Sequence, residues 1–174
     1  MTIQEAYQYC LYCGSKAKLE NNDRLVCAKC GKKYFFTPSI GAAGFCKNSK
    51  GEILVIERNA EPKKGTLGLP AGFVDINDDS LESALRREIL EEIGLEITNI
   101  KYLSSHHTIY THQGVDRPHM STFFVCDIKE GELKIDENEV IKPIFVDLKT
   151  IDLERFGFDS TRMAIRDYLN IYKS

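Results

Sequence analysis

The sequence predicts a layered α/β domain of about 135 residues, 37–174, preceded by a small cysteine-rich unit over residues 1–36. Two tight cysteine pairs fall within the first 36 residues, which show no periodic apolar pattern. From Ser39 onward, strand-like apolar runs interleave with one amphipathic segment in mid-chain and another at the end. A Pro/Gly-punctuated loop separates the first strands from the first long helix.

The elements follow in order. "IGAAGFC" and "EILVIER" read as two strands joined by the polar turn "KNSKG", which carries Gly51. "EPKKGTLGLPAGFVDINDD" is a loop with a short strand near Leu67 to Leu69. A helix is expected from Ser80 to Ile93, with Asp79 or Ser80 as N-cap and Gly94 as the left-handed stop. "LEITNIKYLSSHHTIY", "MSTFFVCDIK" and "KPIFVDL" read as strands. The closing segment "STRMAIRDYLNIYK" places Met163, Ile165, Tyr168, Leu169 and Tyr172 near helical spacing.

Composition sets the outer bounds. Hydrophobic content of 43% with 28% charged residues is that of a water-soluble globular chain. A formal net charge of −3 gives no bulk electrostatic reason to expect nucleic acid or membrane as a partner. No apolar run approaches the roughly 20 residues that span a bilayer, and "MTIQEAYQYC" lacks the regions of a secretory signal. Cys46 and Cys126 sit singly in strand-like runs and read as small buried hydrophobes. Unpaired thiols without an export signal predict a reducing, cytoplasmic setting.

The helix "LRREILEEIGL" poses the chemical question. Leu81, Leu85, Ile89 and Ile93 form an apolar stripe at about 100° per residue. Glu88, Glu91 and Glu92 share a neighbouring arc, where like charges one turn apart repel. The negative end of the helix dipole opposes them further. Two readings account for this: a solvated acidic face partly neutralised by Arg86 and Arg87, or a site for a hard divalent cation.

The stretch "GFVDINDDSLESALRREILEEIGL" resembles the Nudix box, G-x5-E-x7-R-E-U-x-E-E-x-G-U with U aliphatic. Gly72 matches its opening glycine, and Arg87, Glu88, Ile89, Glu91, Glu92, Gly94 and Leu95 match its second half without a gap. The resemblance implies an αβα sandwich around a mixed sheet. It also implies hydrolysis of a nucleoside diphosphate linked to another group, using Mg²⁺ or Mn²⁺. The box carries one extra residue here: counted back from Arg87, its acid falls on Asp79, with six residues between it and Gly72 where the motif has five, and Asp78 as the alternative. That acid is expected to clamp Arg87.

By the same resemblance, Glu91 and Glu92 are the principal metal ligands, with the Ala71 carbonyl as the loop ligand. Glu88 is a further ligand or the base that activates water, and Arg87 orients the acids. Glu139, or else Glu137, in "DENEVIKPIFVDL" corresponds to an acid that many relatives carry on a late loop. Arg58, ahead of Lys63 and Lys64, is the cation expected to hold substrate phosphate. His106, His107, His112 and His119 match no compact metal site, since adjacent strand residues face opposite ways.

Cys10, Cys13, Cys27 and Cys30 follow C-x2-C-x13-C-x2-C, each pair trailed by a glycine, Gly14 or Gly31. This is the pattern of two zinc knuckles closing a four-thiolate structural Zn²⁺ site; two disulfides are the alternative, disfavoured in a reducing compartment. Six Lys and Arg against three acids lean the ribbon slightly toward nucleic acid, but four thiolates around zinc add about −2. A structural or homodimer-forming role is the expectation.

A zinc ribbon before a Nudix domain resembles the NADH pyrophosphatases and shorter relatives acting on ADP-ribose or FAD. The S-Q-P-W-P-F-P-x-S element of the NADH-type enzymes is missing, and the chain has no Trp. Tyr110 stands where many ADP-ribose enzymes carry a proline, and is taken as a substrate contact. The expected partner is a small nucleotide, ADP-ribose ahead of FAD or NADH. The other readings are a nucleotide sensor that has lost turnover, and an RNA-end hydrolase recruited through the ribbon.

Overall fold

Three neighbouring strands each split their apolar residues between two cores, and this alternation builds the layers. In the computed structural model, described over residues 1–129 and 131–172, β4 (Ser39–Lys47) sends Ala42 and Cys46 to one side and Ala43 and Phe45 to the other. β5 (Ile53–Arg58) divides Leu54 and Ile56 from Ile53 and Val55. β9 (Val115–Ile128) divides Phe124 and Cys126 from Phe123 and Val125. Period-two alternation of residues that are all apolar demands cover on both faces. Helix α2 (Leu81–Ile93) covers one with Ala84, Leu85, Ile89 and Ile93; helix α3 (Asp159–Ile171) covers the other with Ala164 and Ile165. Each fully buried Leu or Ile contributes about 1.5–3 kcal/mol. The result is an α+β sandwich.

The sheet order is β10-β5-β4-β9-β8, with β8 at Ile97–His112 and β10 at Val140–Val146. The short β6 (Leu67–Gly68) pairs with β5, and β7 (Ala71–Phe73) pairs with β4. β7 was not expected from the sequence, because "AGF" is too short to show alternation. It sets Ala71 and Gly72 opposite Ala43 and Ala42. Gly44 lets α2 approach the sheet: a Cβ there would stand 2.9 Å from Cys46 Sγ and 3.2 Å from Ile89 Cδ1.

α2 starts as expected. Ser80 is the N-cap, accepting from the Ser83 amide at 3.1 Å while its own amide donates to Ser83 Oγ at 2.8 Å. Gly94, at φ 71°, ends the helix. The final helix covers most of its expected span, and Lys173 lies outside the described residues.

The chain divides into two compact units: Met1–Ser39 with Ile109–His119, and Ile40–Thr108 with Met120–Ser174. In the first, α1 (Ile3–Ala6) precedes an antiparallel sheet of β1 (Ala17–Glu20), β2 (Arg24–Cys27) and β3 (Lys33–Phe35). The tip of the β8–β9 hairpin joins this unit. Its two-residue turn has positive φ at Gln113 and Gly114, Met1 N donates to Gly114 O at 3.0 Å, and Asp116 N donates to Met1 O at 2.8 Å. Among the described residues no helix is long and apolar enough to cross a membrane.

Candidate active site

The acidic face of α2 meets β7 and a late loop. Glu92 lies one turn from Glu88 and is buried, with 3% of its surface exposed. Its Oε2 accepts the Ala71 amide at 3.1 Å. Burial is the main force that pushes the Glu92 carboxyl up to about 8; the Ala71 amide resists it, and the charges of Glu139 and Glu88 add to it. Glu88 is likewise held above the usual carboxylate range, by burial first, against the stabilising hydrogen bond from Arg87. Glu91 is the outward member, its side chain 60% exposed.

Gly72 explains the glycine that opens the motif. A Cβ there would stand 1.9 Å from the Glu88 carboxyl carbon, so any side chain would evict that carboxylate. Glycine is required by close approach, not by backbone angle.

Arg87 uses every donor it has. Its Nε and Nη2 donate to Asp78 Oδ1 at 3.1 Å and Oδ2 at 2.8 Å. Nη2 also donates to Phe73 O at 3.0 Å, and Nη1 donates to Glu88 Oε1 at 2.8 Å and Glu91 Oε2 at 3.0 Å. Five N–H groups meet five acceptors, which fixes β7, its loop and two glutamates to one planar fork. The clamp acid is therefore Asp78, correcting the count that led to Asp79. Five residues separate Asp78 from Gly72, as the motif has it, so the extra residue lies between acid and arginine. The Asp75 carboxylate accepts the Asn77 amide at 2.9 Å, and the Asp75 amide donates to Asp78 Oδ2 at 2.7 Å. This turn holds Asp78 inward with 7% side-chain exposure, while Asp79 is exposed. The Arg87 hydrogen bonds hold the Asp78 carboxyl below its usual range.

Glu139 arrives through backbone bonds. The Lys134 and Asp136 amides donate to Ile93 O at 2.9 Å and Glu92 O at 2.8 Å, satisfying carbonyls that the end of α2 leaves open. Asn59, just after β5, ties down the same loop: its amide donates to Glu139 O at 2.8 Å and its Nδ2 to Glu137 O at 2.6 Å. The fold thus brings Glu139 electrostatically against Glu88 and Glu92.

Arg58 ends β5 and its charge lowers the Glu92 carboxyl. Its guanidinium donates to Pro62 O at 3.3 Å and Ala60 O at 3.5 Å and lies 5.3 Å from the Phe158 ring centroid. Tyr110 belongs to the other unit, where its ring neighbours His112 and His119. His106 Nε2 lies 2.7 Å from Asp167 on α3, which accounts for it as a strand–helix tie. Sequence reasoning missed Phe73 O, Asn59 and Asp136, all acting through backbone groups or short polar turns that leave no residue-type signal.

In the ribbon, the four cysteine Sγ atoms lie within 4.8 Å of one another. Cys10 and Cys30 are 3.6 Å apart, as are Cys13 and Cys27. Gly14 and Gly31 have φ near 70° and donate to Cys10 O and Cys27 O, each at 2.9 Å. Backbone amides at Tyr12 and Cys13 pull the Cys10 thiol down, and the Ser15 amide and hydroxyl bring Cys13 to about 6. Such a donor set fits a tetrahedral dication. Among the described residues, no three carboxylates of the α2 site gather oxygens as closely as these thiols.

A buried carboxylate cluster at one end of an αβα sandwich, clamped by an arginine that follows the Nudix spacing, defines a family. The NUDIX domain model matches residues 37–166, and the chain belongs to the NUDIX family. Among its relatives are the NAD-capped RNA hydrolases NudC of Klebsiella pneumoniae subsp. pneumoniae, 23% identical over 137 residues, and of Escherichia coli O1:K1, 24% identical over 138 residues. These alignments cover 78% and 79% of this chain and 50% of each relative, so the chain spans about half their length. A NUDIX hydrolase from Nitrosomonas europaea superposes with a TM-score of 0.73 at 18% identity, covering 96% of this chain and 93% of that one. The NUDIX domain of Shewanella oneidensis NrtR, solved with ADP ribose, superposes with a TM-score of 0.63 at 17% identity over 79% and 90%.

Proposed function

We propose that the protein is a divalent-cation-dependent pyrophosphohydrolase. In this reading it cleaves a nucleoside diphosphate linked to a second moiety, ADP-ribose or a dinucleotide such as FAD or NADH, and releases AMP. One observation carries it: Glu92 is buried beside the like charges of Glu88 and Glu139, offset by one backbone amide and the charge of Arg58. Burying acids together costs stability unless a cation joins them. Glu88, Glu91, Glu92 and the Ala71 carbonyl would hold Mg²⁺ or Mn²⁺. When bound, the ion supplies charge neutralisation on the pyrophosphate and polarises the phosphorus under attack.

The chain's own groups do the rest. Arg87, its donors all committed, is a positioning residue that keeps Glu88 and Glu91 facing the site. Glu88 or Glu139 takes the proton from the attacking water, and burial makes the Glu88 carboxylate a stronger base than a free one. Arg58 steers phosphate toward the cluster. The ribbon holds Zn²⁺ through Cys10, Cys13, Cys27 and Cys30 as a structural element. The intact Asp78–Arg87 clamp supports the enzyme over the sensor reading.

The test is AMP release, with Mg²⁺, from a panel of ADP-ribose, NADH, FAD, diadenosine polyphosphates and NAD-capped RNA. The last is included because the NudC relatives carry that name. Turnover led by ADP-ribose or a dinucleotide is expected. Binding without turnover of any member would replace this reading with the sensor.

A further inference from the structure

The ribbon sheet has two faces of opposite character, and the strand register assigns every residue to one of them. Directly paired residues of antiparallel strands point the same way. Leu19 pairs with Leu25 and Leu25 with Tyr34, so these share a face; Ala17 and Cys27 lie on it too, and Leu25 and Cys27 are buried there. On the other face, Lys18 pairs with Val26 and Val26 with Lys33, while Glu20 pairs with Arg24 and Arg24 with Phe35. Lys18, Lys33 and Phe35 are exposed, Phe35 at 51%. The Arg24 guanidinium lies 5.5 Å from the Phe35 ring centroid, and its Nε is 3.8 Å from Glu20 and 3.6 Å from Asp23.

We propose that this face, carrying Lys18, Arg24, Lys33 and Phe35, binds single-stranded nucleic acid. Three cations against two acids, Glu20 and Asp23, both beside Arg24, leave Lys18 and Lys33 as the net positive charge of this face, although the whole chain carries −3. The thiolate centre lies off this face, because Cys27 belongs to the opposite one. An exposed ring with a guanidinium beside it is a stacking platform for an unpaired base, and the flanking lysines sit where a backbone would run. An acidic peptide would also use the cations, but a flat exposed ring flanked by lysines suits a base stacked between backbone phosphates better, so the aromatic favours nucleic acid. This revises the expectation drawn from bulk charge. It deepens the pyrophosphohydrolase reading, by giving that site a substrate with a polynucleotide attached, but the binding itself does not depend on it.

The experiment is fluorescence anisotropy of a short labelled single-stranded RNA with the full-length, zinc-loaded protein across a salt series. Contact with three phosphates predicts a log–log salt slope of about −2. Phe35→Ala weakens binding about tenfold, Phe35→Trp retains it, and the Lys18→Gln/Lys33→Gln pair flattens the slope to about −0.7. Zinc content and ADP-ribose turnover are measured on each variant and stay at wild-type level. No binding at low salt overturns the proposal. So does equal affinity for duplex RNA or polyglutamate, or a Phe35→Ala protein of unchanged affinity. RNA binding by a wild type that turns over no nucleotide would instead sink the enzyme reading and leave this one standing.

Discussion

Asp78 and Asp79 are neighbours with opposite surroundings, and the pair tests the clamp. Asp78→Asn leaves Arg87 without its bidentate acceptor and loosens Glu88 and Glu91, so kcat is expected to fall at least tenfold. The melting temperature should fall with it, whereas Asp79→Asn leaves both unchanged; steady-state kinetics and calorimetry read the two. Glu92 gives a prediction of opposite sign for fold and function. Its folded carboxyl is raised from 4.5 to about 8, so between those values the folded chain holds a proton that the unfolded chain has lost. The metal-free protein therefore loses stability as pH rises through that window, by on the order of a few kcal/mol. Glu92→Gln removes this loss, so the metal-free mutant is the more stable protein at pH 8 by urea titration, although it is inactive. The glutamates were legible in the sequence because a fixed spacing names them. The choice of Asp78 was not, because the Asx turn at Asp75 decides it and either aspartate satisfies the composition.

At the scale of elements, α2 carries both the core stripe and the site, and its distance from the sheet is set by Gly44. Gly44→Ala would press on Cys46, Ile89 and Leu85 and push the helix outward. It should cost about 1–3 kcal/mol, read as a lower urea midpoint with an unchanged slope. Activity should fall as well, since the same shift draws Glu92 from the Ala71 amide. The helix bounds were readable because Ser80 and Gly94 signal them chemically. β7 and the loop bearing Glu139 were not, since their positions rest on bonds to Ala42, Ala43, Glu92 and Asn59, residues far away in sequence.

At the scale of the molecule, the two units rest on different physics. The sandwich buries two apolar clusters, whereas the ribbon's buried apolar residues are Cys10, Leu25 and Cys27. In the proposed zinc-bound form, metal binding would supply most of the ribbon's folding free energy. One zinc per chain is expected, and stripping it with a chelator should unfold the ribbon while the sandwich keeps its cooperative melt; exchange protection mapped along the chain reads both. The cysteine spacing and the alternating apolar runs carry the reading of a ribbon over 1–36 followed by a sandwich over 37–174. The recruitment of the hairpin tip to the ribbon was hidden, because it depends on Met1 meeting Gly114 across 113 positions. The buried acids of α2 are proposed to form a catalytic cation site. Its most direct test is AMP release from ADP-ribose against Mg²⁺ concentration, for wild type and Glu92→Gln. Saturable, Mg²⁺-dependent turnover that falls by at least a hundredfold in the mutant is expected. Turnover of similar size in both proteins, or turnover indifferent to Mg²⁺, would contradict it.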